Sequence, residues 1–270
     1  MLDHMPEGSE LTIAPMIMIT PDRVLHICRL GSQLDHRVMG ALVIYIGLED
    51  DIVVHLRGED PIKARVVVVP PFKAHRIVAG HQFVKTVLVE PETVSDESLI
   101  KLESSLNGLS LVEAETLGLL TLPKHPDQFS RSAISSYSSQ IFDIEMFSYG
   151  LEPRPMDDRI KAATDLVKTS ISDVILTSDC TVDLEISSSR FRRLFVSNTG
   201  IQFRHYKMWK RARSYLEKIL APASLTQIAM DLGYPDSTHF SRSIRSTYGL
   251  PPRRMKAHMQ DSAFFLTRNV

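Results

Sequence analysis

A block of sequence in the C-terminal third of the chain occurs twice, at a constant offset of 49 residues. Ser188 corresponds to Ser237, Phe191 to Phe240, Arg193 to Arg242, Phe195 to Ile244 and Gly200 to Gly249. Each copy has a polar start, apolar residues at helical spacing, a basic outer face and a glycine stop, the pattern of an amphipathic helix ended by a left-handed residue. A duplicated unit of this size implies two similar folding modules in series.

Before the second copy, Leu225, Ile228, Ala229 and Leu232 make one apolar helical face, Gly233 can end that helix, and Asp236 or Ser237 can cap the next. Helix, tight turn and basic second helix is the helix-turn-helix plan, and a bracing helix of similar size is expected before the first copy. Between the copies, Phe203, Tyr206, Trp209, Ala212, Leu216 and Ile219 recur at helical spacing and predict a long connecting helix. A recognition helix fits the major groove, which is ~12 Å wide. If the connector holds two of them about 34 Å apart, one chain reads two successive grooves on one face of the duplex.

Charge supports a polyanionic partner. The 270 residues carry 31 Lys/Arg and 32 Asp/Glu, but Arg190 to Val270 holds 15 basic and 4 acidic residues, leaving 16 and 28 for the rest. The basic end is suited to nucleic acid, while the acidic remainder discourages indiscriminate binding. With 43 % apolar and 23 % charged residues, the composition is that of a globular chain and excludes a fibre or a disordered tail. The longest apolar runs, such as Ala41–Ile46 and Val66–Val69, fall far short of the ~20 residues that cross a bilayer. No membrane partner and a cytoplasmic location are expected, since no signal-peptide pattern opens the sequence. Cys28 and Cys180 are isolated, so reduced thiols are expected rather than a disulfide framework or a cysteine zinc site.

The N-terminal half reads differently. Val24–Cys28, Ala41–Ile46, Ile52–Leu56, Arg65–Val69 and Phe83–Val89 are short, β-branched and punctuated by glycine and proline, which predicts an antiparallel sandwich or small barrel. Helical spacing follows in Leu99, Leu102, Leu106 and Leu109, and again from His125 to Gly150; these helices either cover the sheet or supply a homodimer seam. Glu152-Pro153-Arg154-Pro155 forbids a continuous helix and marks a boundary between a β-rich domain of residues 1–152 and an all-α domain of residues 153–270. The expected class is α+β, with everything after the boundary, apart from short connectors, helical.

The stretch Ser224–Tyr234, then Ser237–Arg242, then Tyr248–Arg253 resembles the signature of the AraC/XylS family of bacterial transcription factors. In the first unit, Glu185 stands where that family usually has glycine and Cys180-Thr181 where it has Leu-Ala; a tight turn without glycine is strained, so this half is expected to read DNA less strictly. The resemblance implies double-stranded promoter DNA as partner, activation through RNA polymerase, and base-reading residues at the starts of the two second helices. These are Ser188, Ser189, Arg190, Arg192 and Arg193, and Ser237, Thr238, His239, Ser241, Arg242 and Arg245. Arginine can bridge guanine O6 and N7, whereas serine and threonine more often hold phosphates. Lys207, Lys210, Arg211, Arg253 and Arg254 are candidate phosphate clamps. Phe191, Phe195, Phe240 and Ile244 are expected in the core.

Val67–Arg76, with Pro70-Pro71 and His75, resembles the proline-turn-histidine corner of cupin-like sensor domains. A pocket lined by His26, Tyr45, His75 and Arg76 would take a small-molecule effector; a protein effector is the alternative. Metal-binding cupins need a His-x-His pair, a nearby Glu and a later His. His75 lacks such neighbours and His26, His36, His55 and His81 lack ligand spacing, so neither metal nor cofactor is expected. Two other classes compete with a regulator. A cupin-type metal-dependent enzyme fused to a basic domain requires ligands that are missing, and a sequence-independent packaging protein predicts equal affinity for all DNA.

Overall fold

The structure is a computed structural model that describes residues 13–31, 34, 36–122, 138–182, 186–260 and 262–267. Glu185 and much of the expected His125–Gly150 helical region, residues 125–137, lie outside them. Among the described residues, nine strands form two sheets. The larger has the order β6-β3-β8-β2-β1-β9, from β1 (Met16–Ile19), β2 (Arg23–Arg29), β3 (Leu42–Gly47), β6 (Val66–Val69), β8 (Phe83–Val89) and β9 (Ala263–Leu266). The smaller is β5 (Ile62–Ala64), β4 (Ile52–Leu56) and β7 (His75–Val78). All neighbours pair antiparallel except β1 and β9, which are parallel.

The large sheet is covered on both faces, which explains why β3 and β6 read as unbroken apolar runs rather than as alternating strands. Leu42, Ile44, Ile46, Val87 and Val89 turn to one side, where α1 (Asp96–Leu106), α2 (Leu111–Thr116) and α3 (Ser139–Phe147) supply Leu102, Leu106, Ala114, Phe142 and Phe147. These helices cover the sheet, the simpler of the two roles open to them. Capping follows the sequence: the side chain of Ser95 accepts from the Ser98 N–H to start α1, and Ser110 with Glu113 forms a capping box at α2.

Val43, Tyr45, Val84 and Leu88 turn to the opposite side, into a core shared by the small sheet and the C-terminal helices. Those helices are α4 (Asp158–Thr169), α5 (Ser188–Thr199), α6 (Phe203–Lys218), α7 (Leu225–Asp231), α8 (Ser237–Tyr248) and α9 (Pro252–Met259). Trp209, Ala212, Tyr215 and Leu216 of α6 and Phe240, Ile244 and Tyr248 of α8 lie in the same apolar cluster as Tyr45, Val54 and Val69. At Gly40 this packing is so close that a Cβ would stand 2.3 Å from the ring of Trp209. A second cluster unites α4, α5 and the start of α6 through Ile160, Phe191, Phe195, Phe203 and Tyr206.

Two expectations need correction. The chain does not stay helical to its last described residues, because Ala263–Leu266 returns to the sheet and adds a strand beside β1. The bracing helix expected before the first repeat copy is, among the described residues, a series of turns from 177 to 182, with Asp179 N–H to Leu176 O at 3.2 Å and Thr181 N–H to Ser178 O at 2.9 Å. Asp179 also accepts from the Leu176 N–H at 2.7 Å, the kind of local side-chain bond that competes with helix.

Candidate nucleic-acid interface

The second repeat unit is built as its sequence dictates. Ser224 caps α7 by accepting from the Gln227 N–H at 3.1 Å, and Asp236 caps α8 by accepting from the His239 N–H at 2.7 Å. That N–H, first among several donors and charges, holds the Asp236 carboxyl below the ordinary carboxylate range. Gly233 joins the helices at φ 71°, and a Cβ there would meet the carbonyl oxygen of Ser172 at 2.1 Å, so no other residue fits the turn. Phe240 packs edge-on against Tyr215 at 5.2 Å and Tyr234 at 5.3 Å. That burial turns Ser237, Thr238, His239 and Arg242 outward, together with Arg245, and leaves Ser241 half-buried.

The first unit repeats the arrangement at α5. Ser187 accepts from the Arg190 N–H at 3.3 Å, Phe191 and Phe195 are buried, and Gly200 ends the helix at φ 72°. Ser189, Arg190, Arg192 and Arg193 are exposed and Ser188 is half-buried. Arg204 at the start of α6 and Arg253 and Arg254 of α9 extend the exposed basic surface. The four core residues Phe191, Phe195, Phe240 and Ile244 are buried, none more than 1 % exposed.

Three expected phosphate clamps are engaged elsewhere. Lys210 is buried, with Nζ 2.8 Å from Glu90 Oε2 and 2.5 Å from Glu92 Oε1. Trp209 Nε1 donates to the same Glu90 oxygen at 2.6 Å and Arg213 Nε donates to Glu90 Oε1 at 3.1 Å. Against the opposing effect of burial, Lys210 and Arg213 hold the Glu90 carboxyl below its usual range. This cluster joins α6 to the end of β8. Lys207 donates to the carbonyl of Ile175, and Arg211 donates to those of Ile171 at 3.3 Å and Asp173 at 3.2 Å, so both side chains hold the turn after α4.

A cavity of about 450 Å³ lies between the large sheet and the α8–α9 end of the helical half. Its wall is mostly apolar, including Ile17, Leu88, Leu216 and Met255, and among the described residues its ionisable groups are Arg29, Arg37, Arg254, His26, His81, His258, Tyr248 and Cys28, with no carboxylate. Arg37 is 5 % exposed. Its guanidinium carbon lies 4.9 Å from the centre of the Tyr45 ring, and its Nε and Nη2 have no hydrogen-bond partner among the described residues. Desolvation lowers its basicity, although Tyr45 and Cys28 oppose this. Burial, with Arg37 and His258 adding to it, brings His26 down to about 4, and burial raises the Cys28 thiol to about 12.

Of the expected pocket residues, only His26 lines this cavity. Tyr45 and His75 are joined to each other, Oη to Nε2 at 2.8 Å, in the core between the sheets. Arg76, the next residue on β7, points to the other face, as strand alternation requires. Arg37 carried no signal in the sequence, because it stands in an irregular segment without periodicity. Among the described residues, no three His, Cys, Asp or Glu side chains gather to hold a metal ion, and no helix is long and apolar enough to cross a membrane.

The pair α7–α8, joined by the Gly233 turn and with a basic, exposed second helix whose pattern α5 repeats, defines a DNA-binding module of the helix-turn-helix class. Comparison with known proteins is in accord: residues 181–258 match the family model described as a helix-turn-helix domain. The invasion protein InvF of Salmonella typhimurium is 30 % identical over 79 residues, covering 29 % of this chain and 37 % of InvF. The regulatory protein PocR of the same organism is 25 % identical over 112 residues, covering 41 % of this chain and 37 % of PocR. The chain thus spans little more than a third of either relative. Solved structures of ToxT from Vibrio cholerae superimpose over most of the chain. One has a TM-score of 0.55 at 12 % identity, covering 89 % of this chain and 100 % of that one. ToxT with an unsaturated fatty acid bound has a TM-score of 0.54 at 14 % identity over 90 % and 98 % of the two chains. The two-part α+β fold is therefore shared with ToxT. Residues 181–258 are therefore a helix-turn-helix domain similar to the matched segments of the InvF and PocR proteins.

Proposed function

We propose that this chain controls transcription by placing α5 and α8 in successive major grooves of double-stranded promoter DNA. The observation that carries the reading is the matched exposure of the two repeat copies on either side of α6, each with a buried aromatic side and a basic outer side. Residues 153–270 are the reading part and residues 1–152 the controlling part. Ser189, Arg190, Arg192 and Arg193, with Ser237, Thr238, His239, Arg242 and Arg245, face the bases and nearby phosphates; Arg204 and Arg253 extend the phosphate contacts. By family resemblance the outcome is activation through RNA polymerase. Selection of duplexes from a random pool, followed by footprinting, tests this: a site with two protected half-sites about 10 base pairs apart supports it. A footprint confined to one groove, or equal affinity for selected and random duplexes at matched salt, overturns it.

The controlling ligand we infer is a small molecule with an anionic head and an apolar body, held in the cavity with its head on Arg37. A buried guanidinium with unpartnered nitrogens is costly unless an anion meets it, and the described residues of the wall offer no carboxylate for that purpose. The ToxT structure with an unsaturated fatty acid bound shows the same ligand chemistry in a protein of similar fold. Calorimetry with oleate and with oleyl alcohol tests this reading. Binding of oleate alone, lost in Arg37→Met, is expected; equal heats for both probes overturn it.

A further inference from the structure

The C-terminal strand β9 has a consequence for DNA binding that the helix-turn-helix match does not contain. The match ends at residue 258, whereas the chain continues through α9 and adds Ala263–Leu266 to the edge of the large sheet. The register is Met16 with Ala263, Ile17 with Phe264, Met18 with Phe265 and Ile19 with Leu266. Two further bonds fix its ends, from Ala263 N–H to Pro15 O at 3.0 Å and from Thr267 N–H to Ile19 O at 2.9 Å. Phe264 and Leu266 pack against the core shared with the helical half, and Phe265 against the core beneath α1–α3.

This strand is the part of the sheet most easily given up. Among the described residues it lies at the end of the strand order with β1 as its one neighbour. All four of its residues are half-buried, while the four of β1 are buried. Lifting β9 away breaks one ladder and leaves β1 paired with β2, so its opening costs far less than unfolding the sheet.

Its position gives it leverage. Three residues separate β9 from α9, and α9 both packs on α8 and contributes Arg254, Met255, His258 and Met259 to the cavity wall. A second tie joins α8 to the sheet side, from the Val38 N–H to the Ser246 carbonyl at 2.9 Å. The first unit is held separately, through α5 against Pro91–Thr93 and through the Glu90 cluster on α6. The two recognition helices are thus secured to one body at separate places, which limits how far they can adjust to two grooves at once.

We propose that β9 is a releasable strap: docked, it restrains the second helix-turn-helix unit against the sheet, and detached, it lets α7–α9 settle into the major groove. The proposal rests on the DNA-binding role of the chain and is independent of any ligand in the cavity. Because linkage is reciprocal, DNA that favours the released state must also loosen the strap.

The test uses the duplex selected from the random pool and two proteins. One ends at Gln260; the other is full length with Met16→Cys and Ala263→Cys, a register pair within disulfide reach for neighbouring strands. The truncated chain is expected to bind at least threefold more tightly than the full chain. The oxidised pair is expected to bind at least threefold more weakly than after reduction, and hydrogen exchange at residues 263–267 should quicken when DNA is added to the unmodified protein. Equal affinity of oxidised and reduced forms overturns the proposal, as does unchanged or weaker binding by a folded truncated chain. If the truncated chain does not fold, the oxidised and reduced comparison decides alone.

Discussion

The ammonium of Lys210 lies 2.8 Å from Oε2 of Glu90, across 120 positions of sequence, and both side chains are buried. This contact turns a residue of the connecting helix away from solvent and into the joint between the two halves. A buried ion pair is costly to break from one side because the surviving partner is left without compensation.

Lys210→Met should therefore cost about 3 kcal/mol of stability, a drop in Tm of about 6 to 12 °C for a chain of this size. The salt dependence of DNA binding should not change. Arg192→Ala, at an exposed position of α5, should leave Tm in place and flatten the slope of log K against log salt by about 1. Melting curves and salt titrations of both variants distinguish the two roles; a flatter slope in Lys210→Met would return that residue to the DNA surface.

Arg242 and Phe240 separate recognition from folding within one helix. Arg242→Ala should weaken binding to the selected duplex by about tenfold, within the ~1–3 kcal/mol of a good base contact, at unchanged Tm. Phe240→Ala empties a site between Tyr215 and Tyr234 and should cost about 3 to 5 kcal/mol. Retention of affinity and sequence preference in a folded Arg242→Ala protein would remove that arginine from the readout.

Gly233→Ala places a methyl group 2.1 Å from the Ser172 carbonyl at a φ of 71°. Backbone on both sides leaves nothing flexible to yield, so the loss should exceed about 2 kcal/mol, with the α7–α8 angle disturbed. Chemical denaturation and DNA affinity should fall together; an unperturbed unfolding midpoint would contradict the packing described.

Acid should destabilise the fold through two histidines. Burial, together with Arg37, brings His75 down to about 3 and His26 down to about 4 from an ordinary 6.5. Below pH 6.5 the unfolded chain takes up protons that the folded chain refuses, so stability falls with pH, by about 1.4 kcal/mol per unit for each fully engaged group. The decline runs from about 6.5 to about 4 for His26 and on to about 3 for His75. His75→Gln should flatten the slope, as read from urea midpoints across pH 4 to 7; a slope unchanged by the substitution would contradict the burial of that ring.

The helical half was the more legible from sequence, because Phe240, Ile244 and Gly249 carry spacing and stop signals at close range. The strands β2, β3, β4, β6 and β8 were legible as β-branched, apolar-rich stretches, though β1, β5, β7 and β9 were not: three or four residues are too few to establish a period. The positions of Lys207, Lys210 and Arg211 were illegible for another reason. A cation on a helix with a mixed face looks the same whether it meets solvent or, as Lys210 does, a carboxylate more than a hundred residues away. Arg37 was hidden likewise, since only the closed fold shows that its guanidinium is buried against Tyr45.

The apolar cluster that runs from Tyr45 and Val54 into Trp209, Tyr215 and Phe240 makes the halves poor candidates for separation. An excised helical fragment presents wet surface where Trp209 and Leu216 had neighbours, and the excised sheet loses its lid. Calorimetry of the intact chain should accordingly give one endotherm, and fragments prepared for DNA work will need polar replacements along that seam to stay monomeric.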